Sequence, residues 1–154
     1  MERQFVVFQM AHEHYAVDIA GVREILRLPE ITKVPHAPEF VEGIMNPRGT
    51  VVPVIDLHKR FGLPPRESSN ETRVMVLNVG DAQLGAIVDS VSEVLAITED
   101  RIELLERLSV DVSAEYITGV AKLDGRLVIL LDYERVLGRR ERFALEETVA
   151  SVSA

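Results

Sequence analysis

Histidine is the residue type in this chain that first suggests metal chemistry, and the 154 residues contain four of them. His12 and His14 stand two residues apart and would share one face of a strand or lie in a turn. A zinc site needs a third ligand at suitable spacing, and none stands nearby. His36 and His58 are isolated in the sequence. We therefore expect no metal site.

Motifs that bind phosphate or carry a nucleophile are also missing. Residues 80–85 have the glycine spacing of a P-loop, but Ala86 and Ile87 stand where Lys and Ser or Thr are required. The sequence has no Gly-x-Gly-x-x-Gly and no Gly-x-Ser-x-Gly string. The absence of cysteine removes disulfides, thiolate nucleophiles and iron–sulfur clusters. We therefore predict that the protein is not an enzyme and has no cofactor.

Charge limits the choice of partner. The net charge is −8, and residues 71–138 alone carry 13 acidic and 6 basic side chains. A field of that sign repels phosphate backbones, and 5% aromatic residues give few platforms for stacking bases. A small barrel that binds nucleic acid is therefore a minor alternative, and a protein partner with basic patches is favoured.

The elements that would position any site are strands. Short β-branched runs broken by turn residues are typical of small barrels or sandwiches. They form two series of five: residues 5–8, 15–19, 22–28, 43–45 and 51–55, then residues 74–77, 83–88, 91–97, 117–121 and 127–131. Residues 62–70, polar and rich in Pro and Ser, are the candidate linker. The pattern predicts an all-β protein.

The two series indicate an internal duplication. Residues 43–56 align with residues 119–132 at an offset of 76, and residues 22–26 align with residues 91–95 at an offset of 69. A period this long exceeds the roughly 20–50 residues of solenoid repeats. We therefore predict two five-stranded β-barrels, with subdomain 1 at about residues 5–66 and subdomain 2 at about residues 71–138.

Turn and helix signals accompany the repeat. Asp124 and Gly125 stand between two apolar runs, a strong hairpin signal. At the matching hairpin Pro47 suits position i+1 of a turn and leaves Arg48 near the tip.

Each closing strand is followed by a short helix-like segment, residues 57–61 and 133–137. Asp56 and Asp132 precede these segments as caps, and Gly62 and Gly138 end them. Residues 139–154 are predicted to form a C-terminal helix and tail.

Several separated blocks resemble a known family. Residues 22–25, 43–57, 87–94 and 116–119 are similar to CheW, the bacterial chemotaxis coupling family, and the resemblance covers about residues 4–140. It implies one CheW-like domain over residues 1–154, built from two SH3-like barrels, in which the first strand can cross to the other barrel. It also implies a non-enzymatic adaptor that links the cytoplasmic tips of methyl-accepting chemotaxis receptors to the regulatory domain of the histidine kinase CheA.

The same resemblance points to partner-binding residues. Carried over position by position, they are Val22, Glu24, Gly43, Arg48 and Val94, and the groove between the barrels receives the receptor's helical hairpin. The family usually has an aliphatic residue where Pro47 stands here. A simpler interpretation is that Glu24 and Arg48 form an exposed ion pair worth roughly 0.2–1 kcal/mol.

Localisation and pathway follow as expectations. No apolar run approaches the roughly 18 residues of a spanning helix. We expect a cytoplasmic protein that does not insert into the membrane and is recruited to receptor arrays by its partners. An adaptor of another chemosensory pathway, such as one controlling surface motility, is the alternative.

Overall fold

Strands dominate the computed structural model, which describes residues 2–104 and 116–153. The described residues form eleven strands: β1 (Glu2–Met10), β2 (Glu13–Asp18), β3 (Val22–Arg27), β4 (Val41–Met45), β5 (Val52–Asp56), β6 (Arg73–Val79), β7 (Ala82–Val88), β8 (Ser90–Thr98), β9 (Ile102–Leu104), β10 (Ile117–Leu123) and β11 (Arg126–Leu131). Two α-helices, α1 (Leu57–Arg60) and α2 (Arg139–Ser153), follow β5 and β11. All ten predicted runs are strands, and β9 is an additional one.

The strands form two sheets. One has six strands in the order β8-β1-β2-β11-β10-β9, and the other has five in the order β3-β6-β7-β5-β4. Ion pairs between strands that are not neighbours show that each sheet is strongly curled. Glu93 on the edge strand β8 meets Arg126 on β11, and Glu24 on the edge strand β3 meets Arg48 in the β4–β5 turn. The two curled sheets are the two SH3-like barrels.

The sheet orders reveal the duplication directly. When β1 to β5 are matched with β6, β7, β8, β10 and β11, the parallel pair β5·β7 corresponds to the parallel pair β2·β11. The β-bulge between Val41 and Gly43 recurs between Ile117 and Gly119. The additional strand β9 beside β10 corresponds to a single bridge between Thr32 and Ile44 beside β4.

The first hairpin of each repeat is exchanged. β1 and β2 join the sheet that holds β8 to β11, whereas β6 and β7 join the sheet that holds β3 to β5. The boundary between the sheets therefore does not coincide with the boundary between residues 5–66 and 71–138. Residues 62–70 link α1 to β6 within one sheet. One residue, Asp89, separates β7 from β8, and these two strands lie in different sheets. The chain makes the other crossing between the sheets at residues 19–21, between β2 and β3.

Three apolar clusters hold the sheets together. Each curled sheet encloses one cluster of its own. The cluster of the six-stranded sheet contains Phe5, Val7 and Val128, and the cluster of the five-stranded sheet contains Val54 and Val74. The third and largest takes side chains from both sheets. Strands such as β5, whose five residues are all buried, therefore face apolar surroundings on both sides.

The two segments after the closing strands differ. The first is helical as predicted: Asp56 Oδ1 accepts from the His58 backbone N–H at 2.9 Å and caps α1, and Gly62 follows with φ +71°. The prediction of a second short helix over residues 133–137 is wrong. Asp132 accepts from the Glu134 N–H in the same way, but the segment is a turn.

The turn buries two apolar side chains. Val136 and Leu137, at 1% and 3% exposed, lie in the large shared cluster. A single helical turn is costly to nucleate, so the cap at Asp132 does not by itself produce a helix.

The C-terminal helix α2 is confirmed and packs against β5. Leu145 is its buried anchor, at 9% exposed, whereas Phe143 is 61% exposed. Neither α1 nor α2 combines the length and the apolar character that crossing a membrane requires, within the part of the chain that the structure describes.

Candidate partner-binding site

The ion pair between Glu24 and Arg48 is the centre of the predicted site. Arg48 Nη1 donates to Glu24 Oε2 at 2.6 Å. The Glu24 side chain is 18% exposed and that of Arg48 is 68% exposed. The carboxylate is therefore largely covered, and the guanidinium lies over it with most of its five N–H donors open to solvent.

The second carboxylate oxygen of Glu24 makes the pair asymmetric. Glu24 Oε1 is buried and has no hydrogen-bond partner among the described residues. A buried acceptor without a partner costs roughly 1–3 kcal/mol, and more when it is charged. The charge on Arg48 is what compensates this carboxylate.

The loop that carries Arg48 has the predicted turn. Pro47 and Arg48 form a turn directly after β4 and Asn46, and Gly49 follows with φ +80°. Proline fixes its own φ near −65°, and glycine adopts a positive φ without steric cost. Residues on both sides of Arg48 therefore hold the guanidinium at the loop tip.

Val22 and Gly43 lie on the two edge strands of the same sheet, β3 and β4. Val22 is partly buried against the shared cluster, and a β-bulge separates it from Glu24 on β3. Gly43 is buried in β4, and a Cβ at this position would come 2.2 Å from the Thr32 carbonyl oxygen. Gly43 therefore serves the close approach of two backbone segments. Bulges re-aim neighbouring side chains, so these residues shape the sheet that presents Glu24 and Arg48.

Val94 lies elsewhere. It is on β8 of the six-stranded sheet, opposite Val6, and is 53% exposed. The structure therefore brings Val22, Glu24, Gly43 and Arg48 together on one sheet and places Val94 on the other. By the repeat offset of 69, Val94 corresponds to Ile25, which is 39% exposed on β3.

The sequence reasoning missed a second ion pair. Arg126 Nη2 donates to Glu93 Oε1 at 2.5 Å. Glu93 is the repeat counterpart of Glu24, so the same kind of pair occurs in both barrels. The offset of 76 matches Arg48 with Asp124, and the cation actually lies two residues further along the chain. Alignment of the repeats gives Glu93, but only the structure gives its partner.

An apolar side chain accompanies this second pair. Leu127, next to Arg126, is 60% exposed. The turn before it is the predicted tight hairpin, because Asp124 and Gly125 have φ of +46° and +79°. Each barrel thus presents a glutamate–arginine pair. Ile25 and Val94, the next residues along β3 and β8, are exposed on the opposite face of each strand.

A metal site would need several ligating side chains close together. Within residues 2–104 and 116–153, no group of three or more His, Cys, Asp or Glu side chains is arranged to hold a metal ion. His14 instead lies 3.3 Å from the Gln9 amide nitrogen, through its Nε2.

Comparison with known proteins decides the family. The family model described as the CheW-like domain matches residues 4–141. The chain belongs to the CheW family. It is 36% identical to the chemotaxis protein CheW of Klebsiella aerogenes over 148 residues, covering 96% of this chain and 89% of that protein. It is also 36% identical to the CheW of Treponema pallidum over 144 residues, covering 90% of this chain and 84% of the relative.

A solved CheW structure agrees with this fold. The scaffolding protein TtCheW from Thermoanaerobacter tengcongensis superposes with a TM-score of 0.82 at 38% sequence identity, covering 92% of this chain and 96% of that one. The expected family and the two-barrel fold are confirmed. A CheW-family chain is a chemotaxis coupling adaptor, so the function predicted from the resemblance is confirmed at that level.

Proposed function

We propose that this CheW chain joins chemoreceptor tips to the histidine kinase CheA by binding alone, and that Arg48 is its central contact. The observation that carries the proposal is the open guanidinium of Arg48, anchored by one hydrogen bond to a largely covered carboxylate. On this proposal the protein works in the cytoplasm, catalyses nothing and reaches the receptor array through its partners.

The chemistry of the surface suits protein recognition. Arg48 is held in place, so a partner's carboxylate or carbonyl oxygen meets donors that need little ordering, which lowers the entropic cost of binding. Arginine is also enriched among the residues that dominate binding energy.

The wider surface needs both barrels. Val22, Glu24, Gly43 and Arg48 belong to the five-stranded sheet and Val94 to the six-stranded sheet. We propose that the receptor's helical hairpin lies in the groove between the barrels, where an amphipathic helix places residues i, i+3, i+4 and i+7 on apolar surface. The regulatory domain of CheA then occupies a barrel edge.

The decisive experiment exchanges charge at matched positions. Arg48→Glu and Arg126→Glu make the same change, and each arginine is paired with the corresponding glutamate of its repeat. Binding to receptor cytoplasmic fragments and to CheA is measured by sedimentation, with receptor-dependent kinase activation as the functional readout. We expect Arg48→Glu to weaken receptor coupling at least tenfold, while Arg126→Glu retains most of it.

A third variant separates partner contact from structure. Combining Glu24→Arg with Arg48→Glu restores an ion pair of reversed polarity within the protein. If Arg48 touches the partner, coupling stays lost although the melting temperature recovers. Full coupling by the double variant, or by a folded Arg48→Glu protein, would mean that the pair only stabilises the loop.

A further inference from the structure

The chain passes from one barrel to the other at two points, residues 19–21 between β2 and β3, and Asp89 between β7 and β8. β7 ends at Val88 and β8 begins at Ser90, so Asp89 alone makes the second crossing, and the proposed site does not use its side chain. The apolar cluster shared by both sheets holds them together without directional bonds. Hydrogen bonds at this crossing therefore add a directional constraint on the angle between the sheets.

Asp89 makes such contacts in both directions. Its backbone N–H donates to the Gln9 carbonyl at 3.0 Å, and its Oδ2 accepts from the Ala11 N–H at 2.9 Å. Both groups belong to β1 and the β1–β2 turn of the six-stranded sheet. Its Oδ1 lies 2.9 Å from His58 Nε2 on α1, which follows β5 of the five-stranded sheet. One carboxylate thus ties elements of the two sheets together.

The imidazole of His58 extends this tie to the linker. The ring is 4% exposed, and its Nδ1 lies 2.7 Å from the Pro64 carbonyl oxygen. One imidazole therefore bridges the Asp89 carboxylate and the linker carbonyl of Pro64.

The charged groups near His58 other than Asp89 have partners elsewhere. The strands packed against α1 are β5 and β7. β7 has no charged residue, and β5 has one, Asp56. The other charged groups on and beside α1 pair with one another: Asp56 and Glu42 with Arg66, Lys59 with Glu42, and Arg60 with Glu141.

We propose that Asp89 and His58 are positioning residues that lock the relative orientation of the two barrels. The effect of this lock on partner binding rests on the proposed function, in which one partner spans both barrels. Val94 lies five residues after Asp89 on β8, whereas Glu24 and Arg48 are on the other sheet. A partner that spans both barrels therefore binds most tightly when the angle between them is fixed in advance.

The orientation is tested without any partner. Residual dipolar couplings of the backbone amides report the alignment of each sheet separately. In the intact protein we expect one alignment tensor to fit both sheets, and in Asp89→Asn we expect two different tensors. Asp81→Asn, the same change at an exposed aspartate in the β6–β7 turn, is the control and should keep one tensor. One tensor in Asp89→Asn would overturn the proposal.

A second variant protects the test against loss of folding. His58→Gln removes the imidazole and leaves Asp89 bonded to Ala11, so it should also separate the tensors if Asp89→Asn does not fold. If folded His58→Gln keeps a single tensor, the lock does not exist.

Binding supplies the readout that a purely structural role would not move. Affinity for a receptor fragment should be weaker in Asp89→Asn than in the intact protein and in Asp81→Asn. If only a tenth of the molecules hold the competent angle, the apparent Kd rises about tenfold. Equal affinities of folded Asp89→Asn and Asp81→Asn would contradict this consequence of the lock.

The two proposals fail in different ways. Separate tensors in Asp89→Asn, together with no receptor binding by the intact protein, would leave the lock standing and reject the proposed function. Strong binding that depends on Arg48 but not on Asp89 would do the reverse.

Discussion

Replacing Val54 tests whether the five-stranded barrel has the core that its function as a rigid scaffold requires. Val54 is 0% exposed and packs in the apolar cluster that contains Met45, Val74 and Ile87. Val54→Ala removes two buried carbon groups, at about 0.8 kcal/mol each, and leaves a small cavity. We expect a loss of about 2 kcal/mol in the free energy of unfolding. Near this chain length that lowers Tm by about 4–8 °C.

Val54→Asp is much more severe. It loses the same apolar contacts and also buries a carboxyl group without a partner, which costs roughly 2–7 kcal/mol. The total approaches the whole stability of a typical domain, about 5–15 kcal/mol, so we expect a largely unfolded barrel at 25 °C.

Circular dichroism during heating and urea titration measures both changes. Val94→Asp is the matched control, because the same substitution is made at a valine that is 53% exposed. A surface change of this kind usually stays within about 0.5 kcal/mol. Equal melting of Val54→Asp and Val94→Asp would refute the assignment of Val54 to the core.

Two further predictions concern single positions. Gly43→Ala should lower the free energy of unfolding by roughly 1–3 kcal/mol more than Gly49→Ala does, as overpacking does, because its new Cβ meets the Thr32 carbonyl oxygen at 2.2 Å. Gly49 also has a positive φ, so alanine strains the backbone there too, but its Cβ meets nothing within 4 Å. Equal losses in urea unfolding would mean that the close approach is not responsible. Burial, reinforced by the charge of Glu13 and by Tyr116, raises the pKa of the Tyr15 phenol. The unfolded chain therefore releases this proton first, and stability falls as pH rises above about 10. Tyr15→Phe should reduce that alkaline loss and remove a phenol that ionises above its ordinary range in an ultraviolet titration; an unchanged titration would contradict the assignment.

Local patterns in the sequence determined most of the secondary structure. Alternating and continuous apolar runs predicted ten strands, because side chains along a strand alternate between two faces whatever the partner strand is. Asp124 and Gly125 predicted a tight hairpin, since positive φ angles depend on the residues at the turn. The blocks around Glu24 and Arg48 gave the family and, with it, the function as an adaptor.

Tertiary structure decided which strands became neighbours. The two repeats have similar patterns, so the β1–β2 hairpin and the β6–β7 hairpin each fit either sheet by hydrophobicity alone. The chain crosses between the sheets at residues 19–21 and again at Asp89, although the first crossing is long enough for a hairpin turn. Loop length therefore does not decide the exchange. Strand pairing of this kind depends on contacts between residues far apart in the chain.

The same reason explains the errors and omissions at the candidate site. Residues 133–137 carry a cap and a helix-like pattern, but the segment folds as a turn in which Val136 and Leu137 are buried. The pair of Glu93 with Arg126 depends on how far a sheet curls, a property of the whole barrel. The sequence by itself determined the strands, the turns and the family. Folding decided which charges meet, because side chains on separate strands come within hydrogen-bond distance only after both sheets have curled and packed.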